Sequence, residues 1–154
     1  MSNTIEVPSP FQIQLNATAL NQLKEHGSAG FPDEICGFLY GKDLEVREIT
    51  HLKPVINSKE GDQRRRFEIS PLDYIQAERF ALENGLDLLG VYHTHPNHPA
   101  IPSEHDLVQA MPYFSYIILS VREGVPAEIR SWRIDDLSGK FGEEKIHFDT
   151  EKAT

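Results

Sequence analysis

The chain has 154 residues, a length that suits one domain able to bury a core without disulfides. Its 24 acidic residues outnumber the 15 basic ones, and the net charge of -9 argues against nonspecific binding to the phosphate backbone of a nucleic acid. Cys36 is the only cysteine, which excludes an internal disulfide and a cysteine-rich zinc framework. No signal peptide or membrane span is recognisable, so we expect a cytoplasmic protein that does not bind membranes.

The first third of the chain predicts an arm, a strand, a helix and further strands. Residues 1–10 contain two prolines and few apolar groups, which indicates a flexible arm ahead of one domain at 11–150. Polar and apolar residues alternate at 11–15, as in a half-buried strand. Asn16 is a typical N-cap for a helix that we expect to stop at Gly27. Further strands are expected at residues 33–41, 44–49 and 51–56.

The middle of the chain predicts the most regular helix. We expect a polar loop at 57–66 and a short strand at 67–69. Ser70 is then a typical N-cap, and Pro71 suits the first position of the helix that follows. Gly85 is expected to end this helix. The apolar residues at helical spacing are Leu72, Ile75, Phe80 and Leu82.

Strands dominate the remainder of the chain. We expect them at residues 86–92, 114–121, 127–134 and 145–148, with a short helix that begins near Ser103. The order of elements is then β-α-β-β-β-β-α-β-α-β-β-β, in which strands without an intervening helix should pair as hairpins. The sequence therefore predicts an α/β or α+β domain with a mixed sheet flanked by helices.

Two histidines, His93 and His95, follow the apolar strand at 86–92. Because side chains alternate along a strand, both imidazoles are expected on the same face. Pro96 has no N–H to donate, so the strand should end there and leave both imidazoles at an open strand end. Two imidazoles at an open strand end can form part of a metal site.

Asp106 has two interpretations. Ser103 resembles a helix N-cap, and Asp106 stands at the third position, from which an acid reaches back to the cap. Alternatively, its carboxylate joins His93 and His95, and two neutral imidazoles with one carboxylate leave a coordination position open, as in catalytic zinc sites. The two roles compete for one carboxylate, and the residues alone leave both open.

A zinc site of this kind suits hydrolysis, since it lowers the pKa of its water towards about 7 and benefits from a nearby carboxylate as general base. Glu34 begins an apolar segment, where position alone favours an exposed acid. Cys36 is expected to be a buried core residue without an activated thiol. The three arginines at 64–66 are typical of a solvated face, although they could orient an acidic partner.

The combined pattern resembles that of the JAMM metalloproteases, also called the JAB1/MPN/Mov34 domain, in their compact stand-alone prokaryotic form. It consists of His93-x-His95, seven residues, Ser103, two residues and Asp106, with Glu34 upstream in a Pro-x-Glu-x-Cys-Gly context. The resemblance covers the chain from about Gln12 to Trp132 and implies a curved mixed sheet sandwiched by helices, related in shape to the cytidine deaminases.

The resemblance also implies roles for these residues. His93, His95 and Asp106 would bind one zinc ion. Glu34 would move a proton from the zinc water to the leaving amine, which makes it catalytic despite its position. Ser103 would hydrogen-bond the carbonyl oxygen as negative charge develops there.

Two further histidines lie close to the pattern in sequence. His98 and His105 are rival ligands by proximity, because imidazole is the commonest metal ligand. The family pattern uses neither, so we expect loop or helix-surface residues, with His98 at most lining the cleft.

The implied activity is that of a zinc-dependent peptidase or isopeptidase. It would hydrolyse an amide bond at the C-terminal Gly-Gly tail of a ubiquitin-like or sulfur-carrier protein, for example to release an attached amino acid such as cysteine.

The short connections expected between Gly41 and Gly90 and after Asp106 disfavour a deubiquitinase, because the deubiquitinases of this family grip ubiquitin with insertions. A catalytically inactive interaction scaffold is another alternative, disfavoured because ligands and base are all present. A nucleobase deaminase needs a Pro-Cys-x-x-Cys motif that one cysteine cannot supply. The sequence leaves open whether the chain forms a homodimer.

Overall fold

Seven strands and three helices make up residues 11–149, the part of the chain that the computed structural model describes. The strands are β1 (Gln12–Leu15), β2 (Cys36–Lys42), β3 (Val46–Val55), β4 (Asp87–Pro96), β5 (Ser115–Arg122), β6 (Val125–Ile134) and β7 (Phe141–Phe148). The helices are α1 (Ala17–Gly30), α2 (Pro71–Asn84) and α3 (Glu104–Gln109). The arm predicted at 1–10 lies outside the described residues. None of the described helices is long and apolar enough to span a membrane.

The strands form one mixed sheet in the order β1-β3-β2-β4-β5-β6-β7. It closes like a barrel because β1 pairs in parallel with both β3 and β7. Strand β4 lies between β2, its antiparallel neighbour, and β5, its parallel neighbour. This confirms the predicted mixed, curved sheet with flanking helices, and it places the strand that carries both histidines next to the strand that follows Glu34.

Two apolar clusters occupy opposite faces of the sheet. Alternation along β2 sends Leu39 into the cluster that packs against α1, and Phe38 and Tyr40 into the cluster that packs against α2. Cys36 belongs to the second cluster and is fully buried, as expected. Burial, followed by the negative charge of Glu34, raises the pKa of its thiol to about 12, so the thiol stays protonated.

The predicted helix ends are largely confirmed. Asn16 caps α1 by accepting the Ala19 N–H at 2.8 Å, and Ser70 caps α2 in the same way. Gly85 ends α2 with a left-handed φ of 63°. Helix α1, however, continues past Gly27 to Gly30. Gly27 is a packing residue, because a Cβ there would lie 2.7 Å from the Leu119 side chain.

Three expectations about strands and helix faces are wrong. The strands expected at 44–49 and 51–56 are one strand, because Thr50 is accommodated as a bulge opposite β2. Residues 67–69 are not a strand, since the side chains of Asn57 and Ser58 bind the backbone of Glu68 instead. The third concerns α2, which buries Ala77 and Ala81 and exposes three residues expected at its apolar face. These exposed residues are Leu72, Ile75 and Leu82.

A second bulge sets the direction of the histidines. Leu39 pairs with Gly90 and Tyr40 with Leu88, so Leu89 is an extra residue in β4. Leu89 packs in the cluster beneath α1, and the bulge reverses the alternation after it. His93, an even number of residues further along, therefore lies on the opposite face from Leu89, next to Phe67.

Candidate metal centre

Three side-chain atoms converge at the end of β4. The Nε2 atoms of His93 and His95 lie 3.2 Å apart. The Oδ2 atom of Asp106 lies 3.2 Å from the Nε2 of His95 and 3.4 Å from that of His93. All three side chains are buried. The structure thus brings together the three residues that the sequence predicts as ligands.

The tautomer of His95 defines what this cluster can bind. Its Nδ1 lies 2.8 Å from the carbonyl oxygen of Pro99, which can only accept, so Nδ1 carries the proton. In the neutral ring Nε2 then presents a lone pair to the cluster, as metal-binding histidines do when a carbonyl holds their other nitrogen. The ring of His95 is therefore oriented by the turn that follows β4.

His93 is held by packing. Its ring stacks on Phe67 with centroids 4.4 Å apart, and its side chain is 1% exposed. Burial lowers the pKa of His93, which favours the neutral imidazole. A neutral, fully enclosed imidazole is a metal ligand in the protonation state that coordination requires.

Asp106 performs both roles that the sequence leaves open. Its Oδ2 accepts the backbone N–H of Ser103 at 2.9 Å, while the Oγ of Ser103 accepts the N–H of Asp106 at 3.1 Å, which completes a capping box at the start of α3. The same Oδ2 faces both imidazoles. Burial alone would raise the pKa of Asp106, but the interactions with His93, His95 and the Ser103 N–H outweigh it and hold that pKa well below its usual range. The cap orients the carboxylate, so the two interpretations do not compete.

Three such ligand atoms are compatible at this distance only when a proton or a cation lies between them. The carboxylate of Asp106 carries a charge, and burial favours the neutral imidazole of His93. A divalent cation satisfies all three at once. The donor set therefore fits a metal ion.

Glu34 reaches this cluster through strand pairing. Cys36 pairs with His93, and the residues between them exchange hydrogen bonds: the Ile35 N–H donates to Thr94 Oγ1 at 3.0 Å and the Thr94 N–H to the Ile35 carbonyl at 3.1 Å. A carboxylate oxygen of Glu34 lies within 4.8 Å of the ligating nitrogens of both histidines. Glu34 is thus a fourth candidate donor, at a longer range than Asp106.

The side chain of Glu34 lies in an unusual environment for an acid. It is 5% exposed, and Oε1 has no hydrogen-bond partner within residues 11–149. Burial, then the charges of Asp106 and Asp62, raises its pKa to about 9. Position in the sequence alone predicts an exposed acid, and that expectation is wrong because the loop at 57–66 covers this residue.

A cleft of about 410 Å³ opens beside the cluster. Glu34, His95 and Ser103 line it, so these groups are accessible from one space. The exposed residues Arg65 and His98 line it as well. The exposed hydroxyl of Ser103 retains its proton for donation, because its capping bond uses only the oxygen.

The two rival histidines do not join the converging atoms. His98 is exposed and lines the cleft, as expected. His105 is half-buried on α3, and its Nε2 is enclosed without a hydrogen-bond partner among the described residues. The expected surface position is therefore wrong for His105.

Sequence reasoning missed one contributor to the site. Phe67, placed on a short strand by the sequence, instead stacks on His93 from an irregular segment. An isolated aromatic residue before a helix N-cap carries no signal of this role.

Fold and site together define a class: an α+β protein with a mixed, closed sheet and a buried His–His–carboxylate cluster at one strand end. Similarity to known proteins identifies the family within this class. Residues 16–135 match the family described as prokaryotic homologs of the JAB domain. The chain belongs to this family, which confirms the resemblance to JAMM proteins.

Individual relatives agree with this assignment. The chain is 32% identical over 113 residues to a desampylase of Pyrococcus furiosus, covering 73% of this chain and 74% of that protein. It is 28% identical over 139 residues to a CysO-cysteine peptidase of Mycobacterium tuberculosis, covering 89% of this chain and 91% of that protein. A protein of Desulfitobacterium hafniense, solved in solution, has a TM-score of 0.79 and 28% identity, covering 92% of this chain and 96% of that chain. The predicted class of enzyme, a peptidase, is thereby confirmed.

Proposed function

We propose that the chain is a zinc-dependent peptidase or isopeptidase that hydrolyses an amide bond at the C-terminal Gly-Gly tail of a ubiquitin-like or sulfur-carrier protein. The observation that carries the proposal is the convergence of two imidazole nitrogens and one carboxylate oxygen within 3.4 Å, beside the buried, unpartnered carboxylate of Glu34. The names of the relatives support the substrate class, since one is a desampylase and another acts on a CysO-cysteine conjugate.

The spacing of the three donors favours zinc, with His93, His95 and Asp106 as ligands. Zinc with bonds of about 2.0 to 2.1 Å in tetrahedral geometry places neighbouring ligand atoms roughly 3.3 to 3.4 Å apart. The three distances observed here are 3.2, 3.2 and 3.4 Å. When bound, the ion supplies a nucleophilic water at neutral pH and polarises the scissile carbonyl.

Glu34 is the proton carrier of the reaction. Its Oε1 accepts a proton from the attacking water as the C–O bond forms at the scissile carbon. The same oxygen then delivers this proton to the amide nitrogen as the C–N bond breaks. The products are a free amine and a tail that ends in a carboxylic acid, which releases the second proton of the water to solvent as it ionises.

Ser103 is the proposed donor to the carbonyl oxygen. Its oxygen caps α3 and its side chain lines the cleft, so its hydroxyl proton is not used by the cap. A donor fixed in advance stabilises the oxygen where negative charge develops, without reorganisation during the reaction.

The proposal is tested on a Gly-Gly-tailed carrier that bears one cysteine, joined by an amide bond to the last glycine. Metal analysis should find about one zinc per chain, and a chelator should abolish cleavage. Glu34→Gln should lower kcat by at least about 100-fold while zinc is retained, because a proton carrier is lost and the ligands are not. His93→Ala combined with Asp106→Ala should lose the zinc.

Glu104→Gln is the matched control, since it makes the same chemical change at an exposed acid on α3. It should retain the wild-type rate. A Glu34→Gln protein that cleaves at the wild-type rate would contradict the mechanism. Stoichiometric zinc in the double variant would contradict the ligand set.

A further inference from the structure

Arg65 is exposed, lines the cleft and has no role in the proposed proton transfers. It is the only lysine or arginine among the described residues that line the cleft, although the run at 64–66 contains three arginines. The chain as a whole is acidic, with a net charge of -9. A cation at this position is therefore a local feature of the site.

The backbone beside Arg65 is anchored directly to Glu34. The Glu34 N–H donates to the Gln63 carbonyl at 2.7 Å. The side chain of Asn57 donates from Nδ2 to the carbonyl oxygens of both Glu34 and Arg66 at 3.1 Å. Arg65 lies between these two anchor points. The backbone around Arg65 is thus held in a fixed relation to Glu34.

The guanidinium of Arg65 is available for a ligand. Its side chain is 81% exposed, and its ion pair with Asp62 is long, at 3.7 Å, and solvent-exposed on both sides. Exposed pairs of this kind contribute little and exchange readily. A substrate carboxylate that arrives in the cleft can therefore replace Asp62, with the two parallel hydrogen bonds that a guanidinium offers.

The two leaving groups that the proposed function allows differ in charge. A single amino acid joined to the tail through its α-amine carries a free carboxylate two bonds from the scissile nitrogen. A lysine side chain joined through its ε-amine has no carboxylate close to that nitrogen. Only the first supplies an anion near the scissile nitrogen, within the cleft that Arg65 lines.

We infer that Arg65 binds the free α-carboxylate of the departing amino acid and makes the enzyme selective for carriers that bear a single residue over carriers joined to lysine side chains. This inference rests on the proposed function. Arg65 is a binding residue that determines specificity, and the proton transfers of Glu34 do not require it.

The test compares three substrates made from the same Gly-Gly-tailed carrier. One bears cysteine with a free carboxylate, the second bears the carboxamide of cysteine, and the third is joined to the ε-amine of a lysine peptide. The wild-type kcat/KM should favour the free acid over both others by about tenfold or more, as expected for loss of a charge-assisted hydrogen bond. Arg65→Gln should remove this preference by lowering kcat/KM for the free acid alone, and Arg65→Lys should restore part of it.

Arg64→Gln is the matched control, since it removes the same charge from an exposed neighbour that does not line the cleft. It should keep the wild-type preference. Equal wild-type rates on the acid and the amide, or an equal loss on all three substrates in Arg65→Gln, would overturn the inference and leave the proposed function intact. Absence of cleavage of every substrate by the zinc-loaded wild type would instead overturn the proposed function, and the inference with it.

Discussion

Two buried polar clusters lie along β4, and they differ in how completely their members are paired. At the start of the strand, Arg47 is 1% exposed and its guanidinium contacts the Leu89 carbonyl, the Tyr113 carbonyl, the Ser115 hydroxyl and Asp43 at 2.8 to 3.3 Å. Burial alone would raise the pKa of Asp43, but hydrogen bonds from Tyr113 and Arg47 outweigh it and lower that pKa. Donors and acceptors match in this cluster.

The candidate metal centre at the other end of β4 is less completely paired. The Nε2 atoms of His93 and His95 face the Oδ2 of Asp106, and Oε1 of Glu34 lacks a partner among the described residues. Buried groups without partners cost free energy, so their persistence indicates a ligand or a reaction. The two clusters are alike in being buried and charged, and they differ in how completely their members are paired.

Removal of the Arg47 side chain should give the largest loss of stability. Arg47→Met leaves a buried hydroxyl and two carbonyl groups without their donor, so we expect the free energy of unfolding to fall by about 3 to 5 kcal/mol. Urea denaturation measures this change. The control is Arg130→Met, which breaks a partly exposed pair with Glu143 and should cost less than about 1 kcal/mol. Equal losses in the two variants would contradict the structural role of Arg47.

Glu34→Gln, which replaces this acid by a neutral amide, should stabilise the metal-free protein. The folded pKa near 9 lies above the ordinary value of 4.5, so stability is full below pH 4.5 and is lost as the pH rises towards 9. Glu34→Gln removes this loss. With chelator present, we expect the variant to match the wild type at pH 4.5 and to exceed it by up to ~3 kcal/mol at pH 7.

Chemical denaturation at a series of pH values checks this prediction. Glu104→Gln, at an exposed acid, should follow the wild-type pH dependence. If wild type and Glu34→Gln keep parallel stabilities across this pH range, the carboxyl of Glu34 is not desolvated as described.

Ser103 should show the smallest effect, because its proposed role is to donate a hydrogen bond to the carbonyl oxygen without transferring a proton. Ser103→Ala removes a donor to the carbonyl oxygen and should lower kcat by about 10 to 100-fold, with a loss of about 1 kcal/mol in stability from the missing cap. Ser103→Thr keeps both the donor and the cap and should recover most of the rate. Steady-state kinetics on the carrier substrate tests both variants, and an unchanged kcat in Ser103→Ala would refute the assigned role.

The sequence determined the local features of the molecule. Alternation identified most strands, and the residues Asn16, Ser70 and Gly85 identified helix ends, because caps and alternation depend on neighbours within a few positions. His93 and His95 share a face for the same reason. The family pattern placed Asp106 and Glu34 in one predicted site.

Tertiary structure alone decided which groups are buried together. Glu34 is enclosed because β2 pairs with β4 and because Asn57 and Gln63 anchor a loop over it, contacts that join residues far apart in sequence. Helix α2 buries Ala77 and Ala81 rather than its larger apolar residues, since the sheet, not helical spacing, selects the face. Local patterns report what a segment can form, whereas register, bulges and burial depend on partner strands that no local pattern specifies.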